Sequence, residues 1–143
     1  MILKIKNESK NELPRYARIG DSGFDLRANV GRSVVILPGR RAIIPTGLHV
    51  DIPEGYELQI RSRSGLAAKY GIQAHPGTID CGYTDEICII LFNFGEENFE
   101  VNPGDRIAQA VFAKAEQAEI VETKETIVKE NDRGGGFGST GIN

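Results

Sequence analysis

The sequence lacks tryptophan, has only two cysteines, Cys81 and Cys88, and contains no long hydrophobic run. No apolar stretch approaches the roughly 20 residues that a helix needs to cross a bilayer, so we expect no membrane partner. The opening residues, MILKIK, are too short and too charged for a signal peptide. Because the two cysteines have neither metal-ligand spacing nor a disulfide-rich context, we expect the cytoplasm as the compartment.

An excess of positive charge is also missing. The chain has 17 lysines and arginines against 20 acidic residues, a net charge of -3. Nucleic acid is therefore a poor candidate for the partner. A small anionic ligand is still compatible, because a few local cations and backbone amides are enough to hold one. The 143 residues, 40% of them hydrophobic, fit one soluble domain that buries a core without disulfides or a structural metal.

Long helical periodicity is absent, and short β-branched or aromatic runs recur instead between Gly, Pro, Asn or Asp breaks. Many short strands at this spacing predict an all-β sandwich or barrel. The predicted strands cover residues 33–37, 42–44, 47–52, 56–60, 86–93, 99–102 and 107–113. The best helix candidate covers residues 65–70, with Ser64 placed to cap it.

Alternation within the chain predicts which side chains face away from the core. Phe24 and Leu26 share one strand face, so Asp25 and Arg27 point the other way. Residues 87–92 are apolar on both faces, which predicts a fully buried strand or one that forms a subunit interface.

The two histidines offer no site by themselves. His49 alternates with Leu48 and Val50 and is predicted to be an outward-facing strand residue. His75 has no partner that the sequence makes visible.

Three segments could carry chemistry, and each also has a purely structural interpretation. Residues 61–67 (RSRSGLA) place cations, a hydroxyl and a glycine at the start of the predicted helix, where free amides can hold an anion. The alternative is a capped helix with solvated arginines. Residues 77–86 (GTIDCGYTDE) put Asp80 at a turn, where its carboxylate is either a general base or part of an Asx-turn.

The third segment is the tail, residues 130–143, which has five glycines and almost no aliphatic bulk. Such a segment cannot offset its ordering entropy by burying a core, so we expect it to be mobile unless a ligand organises it. Arg133 and Phe137 stand among the glycines, so the tail could pair with a phosphate and stack on a base. The alternative is a polar disordered terminus.

Taken together and in order, these segments resemble the five motifs of the trimeric dUTPase family. Residues 23–28 (GFDLRA) resemble the first motif and residues 63–67 (RSGLA) the second. Residues 77–86 match the third, residues 104–109 (GDRIAQ) the fourth, and residues 133–141 (RGGGFGSTG) the fifth. Any one motif is weak, but five in the right order over nearly the whole chain are specific.

The resemblance implies an all-β, jelly-roll-like barrel that assembles as a homotrimer with active sites shared between subunits. Residues 1–129 would form the β domain, and residues 130–143 would be a flexible C-terminal lid. The implied activity is hydrolysis of dUTP to dUMP and pyrophosphate. That reaction limits uracil incorporation into DNA and supplies dUMP for dTMP synthesis.

The resemblance also implies catalytic roles. Asp80 would deprotonate the water that attacks the α-phosphorus, and Ser64 would bond near the oxygen that bridges the α- and β-phosphates. Arg63 would pair near Asp80 or with the phosphates, and Gln109 would touch the α-phosphate or the water. Mg²⁺ would be held mainly by the triphosphate, with Asp25 reaching it through water.

Substrate contacts follow from the same resemblance. Tyr83 would pack on the deoxyribose and exclude a 2′-hydroxyl, and the backbone around Gly77 would read uracil. Arg133, Ser139 and Thr140 would grip the γ-phosphate, and Phe137 would cover the base. The remaining implied contact residues are Ser62, Gly65, Ile79, Ile87 and Gly138.

Two positions depart from the family pattern. Asp85 stands where the third motif usually has glycine, so a side chain must fit that turn, which Asp tolerates better than most residues. Ser62 stands where proline is common before the second motif.

Two other functions stay open. A dCTP deaminase shares the fold but needs a carboxylate at the exocyclic amine of the base and does not match the glycine-rich fifth motif. A nucleotide-gated regulatory binding module would use segments outside the motifs, and none stands out.

Overall fold

The computed structural model describes residues 1–128 and is built mainly from short antiparallel strands. In chain order the strands are β1 Lys4–Asn7, β2 Gly23–Arg27, β3 Val34–Ile36, β4 Arg41–Pro45, β5 Leu48–Asp51, β6 Tyr56–Arg61, β7 Ile72–Ala74, β8 Gly77–Ile79, β9 Cys88–Asn93, β10 Phe99–Val101 and β11 Arg106–Lys114. The helix, α1, covers Ser64–Tyr70 and lies between β6 and β7. The all-β prediction is confirmed.

The strands form four sheets, in the orders β2-β11-β6-β8, β4-β9-β7, β1-β5 and β10-β3. Within residues 1–128 these ladders do not join into one closed barrel. The seven predicted runs all contain a strand, with ends shifted by up to two residues. Strands β1 and β7 were not predicted, because β1 alternates with lysines and β7 is only three residues long.

The core lies between the sheets and is almost entirely aliphatic. Leu26 of β2, Leu58 of β6 and Leu91 of β9 have no exposed surface. The alternation predicted for β2 is confirmed, because Phe24 and Leu26 are buried while Asp25 and Arg27 are not. The polar side chains on the outer face of β2 are therefore free to form a site.

The prediction for residues 87–92 is wrong for the single chain. Ile89 and Leu91 are buried, but Cys88 is exposed and the side chains between them are only partly covered. Within residues 1–128 the second face of the β4-β9-β7 sheet is covered only in part, and Phe94 stacks on Phe92 there. Ile43, which pairs with Ile90 in the register, remains 65% exposed. This outer face, defined by Ile43, Ile90 and Phe92 and called the apolar face below, is exposed apolar surface on a central strand.

The helix begins one residue earlier than expected and is capped differently. Its N-cap residue is Arg63, with no side-chain capping hydrogen bond, and Ser64 is already helical. The helix ends at Gly71, whose φ of 69° is left-handed and whose amide bonds to the Ala67 carbonyl. A Cβ at Gly71 would lie 2.6 Å from the Gly95 nitrogen, so only glycine fits this end. Among the described residues, no helix has the length and apolar character to cross a membrane.

Candidate active site

Asp25 on β2 is the centre of a charged cluster at one end of the four-stranded sheet. The Nε atom of Arg63 donates to its Oδ1 at 2.9 Å, and an Nη1 of Arg106 donates to its Oδ2 at 3.2 Å. A second nitrogen of Arg63 donates to the Arg106 carbonyl at 3.0 Å. Asp25 is about one third exposed and Arg63 about one quarter. Within the chain, the partner of Arg63 is thus Asp25.

Gln109 on β11 completes this cluster, which we call the cation end. It lies opposite both Asp25 and Arg61 in the sheet register. Its side-chain amide donates to the Ser62 carbonyl at 2.9 Å, which fixes the chain between β6 and α1. Sequence spacing could not show this convergence, because 84 residues separate Asp25 from Gln109.

Ser62 has a structural task that the sequence reading did not assign. Its hydroxyl donates to the Ala74 carbonyl at 3.1 Å and accepts from the Ala74 amide at 3.0 Å. Both bonds tie the end of β6 to β7. Because both bonds of the hydroxyl are made within the fold, only the main chain of Ser62 remains available to a ligand.

Ser64 and Gly65 begin α1, directly after Arg63, and both are exposed. Gly65 has open space on the side where a Cβ would stand. The Leu66 and Ala67 amides turn back to the Arg63 carbonyl. Ser64 is therefore an exposed residue directly beside Arg63 of the cation end.

The third segment lies on a different part of the sheet. Gly77 and Ile79 belong to β8, which pairs with β6 and forms the edge of the sheet. A turn follows in which the Tyr83 amide donates to the Asp80 carbonyl at 3.0 Å. The Asp80 side chain is exposed. We call residues 80–86 the base turn.

Tyr83 is fixed within this turn by its own hydroxyl, which donates to the Glu86 carbonyl at 3.0 Å. Partial burial raises the pKa of the Tyr83 phenol, and the nearby negative charge of Asp85 adds to the shift. The hydroxyl therefore stays a neutral donor. The ring is 39% exposed and offers one face to a ligand.

Strand β5 and the residues before it fasten the base turn to the body of the protein. The Thr46 hydroxyl donates to the Ile87 carbonyl at 2.6 Å, and the Gly47 amide donates to the Glu86 carboxylate at 2.6 Å. The Ile87 amide donates to the Leu48 carbonyl at 2.8 Å. Ile87 is 1% exposed, so its side chain supports the turn from the core side. No motif in the sequence indicated these contacts.

The cation end and the base turn are apart within one chain. Ile79 pairs with Leu58, so Asp80 continues towards Glu57, whereas Gln109 pairs with Arg61. The four residue steps from 57 to 61 span about 13 Å at about 3.3 Å per residue. One chain therefore does not bring Asp80 to Gln109.

The donor set near Asp25 suits a cation that arrives with a ligand. Within residues 1–128, no group of three or more His, Cys, Asp or Glu side chains could hold a metal ion. Asp25 and Gln109 share a cleft of about 290 Å³ whose other lining residues include Arg15, Asp21 and Ser22. Mg²⁺ usually keeps several waters and binds through one or two carboxylates plus substrate phosphates. An open cleft lined by two carboxylates, Asp21 and Asp25, fits that mode.

Five predicted contact residues fall in the tail and lie outside the described residues. They are Arg133, Phe137, Gly138, Ser139 and Thr140.

Comparison with known proteins gives the same result by sequence and by structure. The dUTPase family model matches residues 9–141. The deoxyuridine 5′-triphosphate nucleotidohydrolase of Chlamydia muridarum is 56% identical over 138 residues, 95% of each chain. The enzyme of the same name from Chlamydia trachomatis serovar L2 is 55% identical over the same length, again 95% of each chain.

Among solved structures, a variant dUTPase of Staphylococcus bacteriophage 80alpha with bound dUpNHpp superposes with a TM-score of 0.88. It is 27% identical, and 99% of each chain is covered. A variant dUTPase from phage phi11 of S. aureus, described as coordinating a structural Mg(II) ion, has a TM-score of 0.80 at 26% identity. That match covers 87% of this chain and 98% of the other.

Proposed function

The chain belongs to the dUTPase family and hydrolyses deoxyuridine 5′-triphosphate, and from this premise we propose how its residues divide the reaction. Water attacks the α-phosphorus in line, the bond from that phosphorus to the bridging oxygen breaks, and dUMP and pyrophosphate leave. The reaction removes a nucleotide that would place uracil in DNA and supplies dUMP. The observation that carries the proposal is the division of the motif residues into the cation end and the base turn.

Asp80 is the general base. Its carboxylate is exposed on a turn whose backbone is closed by the Tyr83 amide, so the side chain is free to accept a proton from water. A base must lie within about 3 Å of the proton that it takes, and a rigid turn supplies that placement.

The cation end binds the triphosphate. Ser64 donates to the oxygen that carries the developing charge as pyrophosphate leaves, and the Gly65 amide supports the same region. Gln109 contacts the α-phosphate or the attacking water. Arg63 turns from the Asp25 carboxylate towards phosphate, since guanidinium groups pair with either oxyanion in the same geometry.

Mg²⁺ fits this end, where Asp25 would reach it through water. The ion supplies charge neutralisation and alignment of the phosphate chain. The support from this chain is that Asp25 lines an open cleft with Asp21, while no cluster of three or more metal-ligating side chains occurs among the described residues.

The base turn and β8 recognise the nucleoside. As an edge strand, β8 has a row of backbone groups on its outer side, and the main chain at Gly77 and Ile79 offers donors and acceptors to uracil. A cytosine would leave these groups mismatched. Tyr83 packs on the deoxyribose and leaves no room for a 2′-hydroxyl.

The functional form is a homotrimer in which one subunit supplies the base turn and another the cation end. The separation of about 13 Å within one chain supports this arrangement. The apolar face supplies surface for the assembly, since Ile43 is 65% exposed on the outer face of the β4-β9-β7 sheet. A closed cyclic assembly gives every copy the same two neighbours.

Residues 1–129 form the catalytic domain and residues 130–143 a lid that closes over bound substrate. The support is the tail sequence, in which glycines surround Arg133, Phe137, Ser139 and Thr140. The proposed compartment is the cytoplasm, in keeping with Cys81 and Cys88, which are both free and exposed.

Pyrophosphate release from dUTP, dCTP, dTTP and UTP, with Mg²⁺ and then with a chelator, tests the function. We expect turnover of dUTP alone and only with Mg²⁺. Asp80→Asn should abolish turnover and leave binding of dUpNHpp largely intact. Ammonia release from dCTP would instead indicate a deaminase. Absence of turnover with every nucleotide would indicate a nucleotide-gated binding module.

A further inference from the structure

His49 on β5 bridges the base turn and the N-terminal segment. Its Nδ1 lies 2.9 Å from the carbonyl oxygen of Thr84, and its Nε2 lies 3.2 Å from Oε2 of Glu8. The side chain is 26% exposed, so the ring is held between the two partners and still reaches solvent. The prediction of an outward-facing strand residue is confirmed, and the two contacts are additional.

Both partners of the ring are hydrogen-bond acceptors. A peptide carbonyl and a carboxylate have no proton to give, while a neutral imidazole has one N–H donor and one bare nitrogen. Neutral His49 can therefore satisfy either Thr84 or Glu8, and leaves a lone pair facing the other oxygen. Only the imidazolium form, in which both nitrogens are donors, makes both bonds.

The charged groups around the ring lie on both sides of it. Lys6 lies opposite His49 in the β1–β5 ladder, and its ammonium contacts the Glu8 carboxylate. Lys6 lowers the pKa of Glu8, and His49 adds to the shift, so this partner stays an anion through the neutral range. On the other side the ring faces the turn that holds Asp85 and Glu86. Three acidic groups against one lysine leave the surroundings negative.

We propose that His49 is a positioning residue whose doubly protonated ring holds the base turn in the arrangement that binds dUTP. The inference rests on the proposed function in one respect, the assignment of Asp80 and Tyr83 to that turn. Histidine is the side chain that changes charge between about pH 5 and 8. As the pH rises through that range, one of the two bonds is lost and the turn is less well held.

A comparison of wild type with Glu8→Gln tests the bridge. A glutamine amide can donate to the bare nitrogen of a neutral ring, so the variant keeps both contacts at every pH. Between pH 6 and 8.5 the KM of wild type for dUTP should rise roughly three- to tenfold relative to Glu8→Gln, the value of one hydrogen bond. The turnover number should change little, because bound substrate restores the turn. Titration of the substrate phosphates affects the KM of wild type and of Glu8→Gln equally, so it cancels in the ratio of the two KM values.

Two further variants complete the series. His49→Ala should show the high KM at every pH. Asp51→Asn is the matched control, because Asp51 is on the same ladder as His49 and pairs only with Lys4, at 3.0 Å. The KM of Asp51→Asn for dUTP should equal that of wild type at every pH. The proposal would be overturned if the ratio of the KM of wild type to that of Glu8→Gln stayed constant across the pH range. It would also be overturned if His49→Ala had the KM of wild type at every pH.

Nitrogen NMR of the ring separates this inference from the catalytic assignment. The chain has only two histidines, so the signals of His49 and His75 are readily distinguished. At pH 6 both His49 nitrogens should be protonated in wild type, and the titration should move to lower pH in Glu8→Gln. If Asp80→Asn retained turnover, the assignment of Asp80 would be wrong while this titration still tested the bridge. A neutral His49 ring at pH 6 would exclude the bridge whatever the turnover.

Discussion

Mixing two inactive variants should restore activity, because Asp80 and Gln109 belong to different subunits in each proposed site. Asp80→Asn removes the base, and Gln109→Ala removes a group at the cation end, about 13 Å away in the same chain. Each variant alone should form a trimer with three defective sites. A mixed trimer can contain a site in which one subunit supplies an intact Asp80 and its neighbour an intact Gln109.

The expected recovery follows from random assembly. In an equal mixture each subunit is of either kind with equal chance, and a good site needs one particular kind at each of two neighbouring positions. In a cyclic assembly each site lies between one subunit and its neighbour on one side, so about one quarter of all sites are then intact. Steady-state release of pyrophosphate should reach about one quarter of the wild-type value after the variants are unfolded together and refolded.

The controls decide between shared and self-contained sites. Variants refolded separately and then combined should stay inactive unless subunits exchange. A double variant refolded with an equal amount of wild type should also keep about one quarter of the sites, those in which both contributing subunits are wild type, whereas self-contained sites would keep about one half. If the co-refolded single variants show no activity although trimers form, each site is built within one chain and the 13 Å argument is refuted.

Three further changes test the local geometry. Ser62→Ala leaves the amide and carbonyl of Ala74 without their partner, so the free energy of unfolding in urea should fall by about 1–3 kcal/mol. Tyr83→Phe removes the bond to the Glu86 carbonyl, so the KM for dUTP should rise about two- to tenfold while the turnover number is kept. Ile43→Lys places a charge on the apolar face, so the mass in solution measured by light scattering should fall from trimer to monomer.

Two of these changes have a matched comparison. Ser33→Ala removes an exposed hydroxyl that bonds to Asn102 and should cost well under 1 kcal/mol. Ile43→Val keeps the apolar face and should leave the mass unchanged. Equal losses of the free energy of unfolding for Ser33→Ala and Ser62→Ala would contradict the role of Ser62. A lower turnover number with an unchanged KM would contradict the role of Tyr83. An intact trimer for Ile43→Lys would contradict the role of the apolar face.

The local pattern of the chain predicted the strands well, and for a physical reason. The period of two in β2 sorts Leu26 to the core and Asp25 to the surface, and burial enforces that period wherever one face of a sheet is covered. The same logic failed for Ile90 and Phe92. Their apolar character reflects a surface that one chain leaves open, and a sequence does not distinguish a core from an interface.

The partners of the site residues were not predictable from spacing. Arg63 meets Asp25 because β2 and β6 are both neighbours of β11, and that sheet order is a property of the whole fold. His49 meets Glu8 and Thr84 through three separate segments, and only the one with Thr84 belongs to a motif. Motif matching identified residue types that do chemistry, whereas the residues that hold them in place became visible only in three dimensions.

The position of β8 at the edge of its sheet has a consequence for mutational tolerance. A pocket that reads a base through main-chain groups keeps its donors and acceptors under almost any side-chain replacement at Thr78 or Ile79. Proline is the exception, because it alone removes the backbone N–H. Selectivity for the base is then encoded in the path of the chain, so random substitution erodes the stability of the enzyme before it erodes its choice of nucleotide.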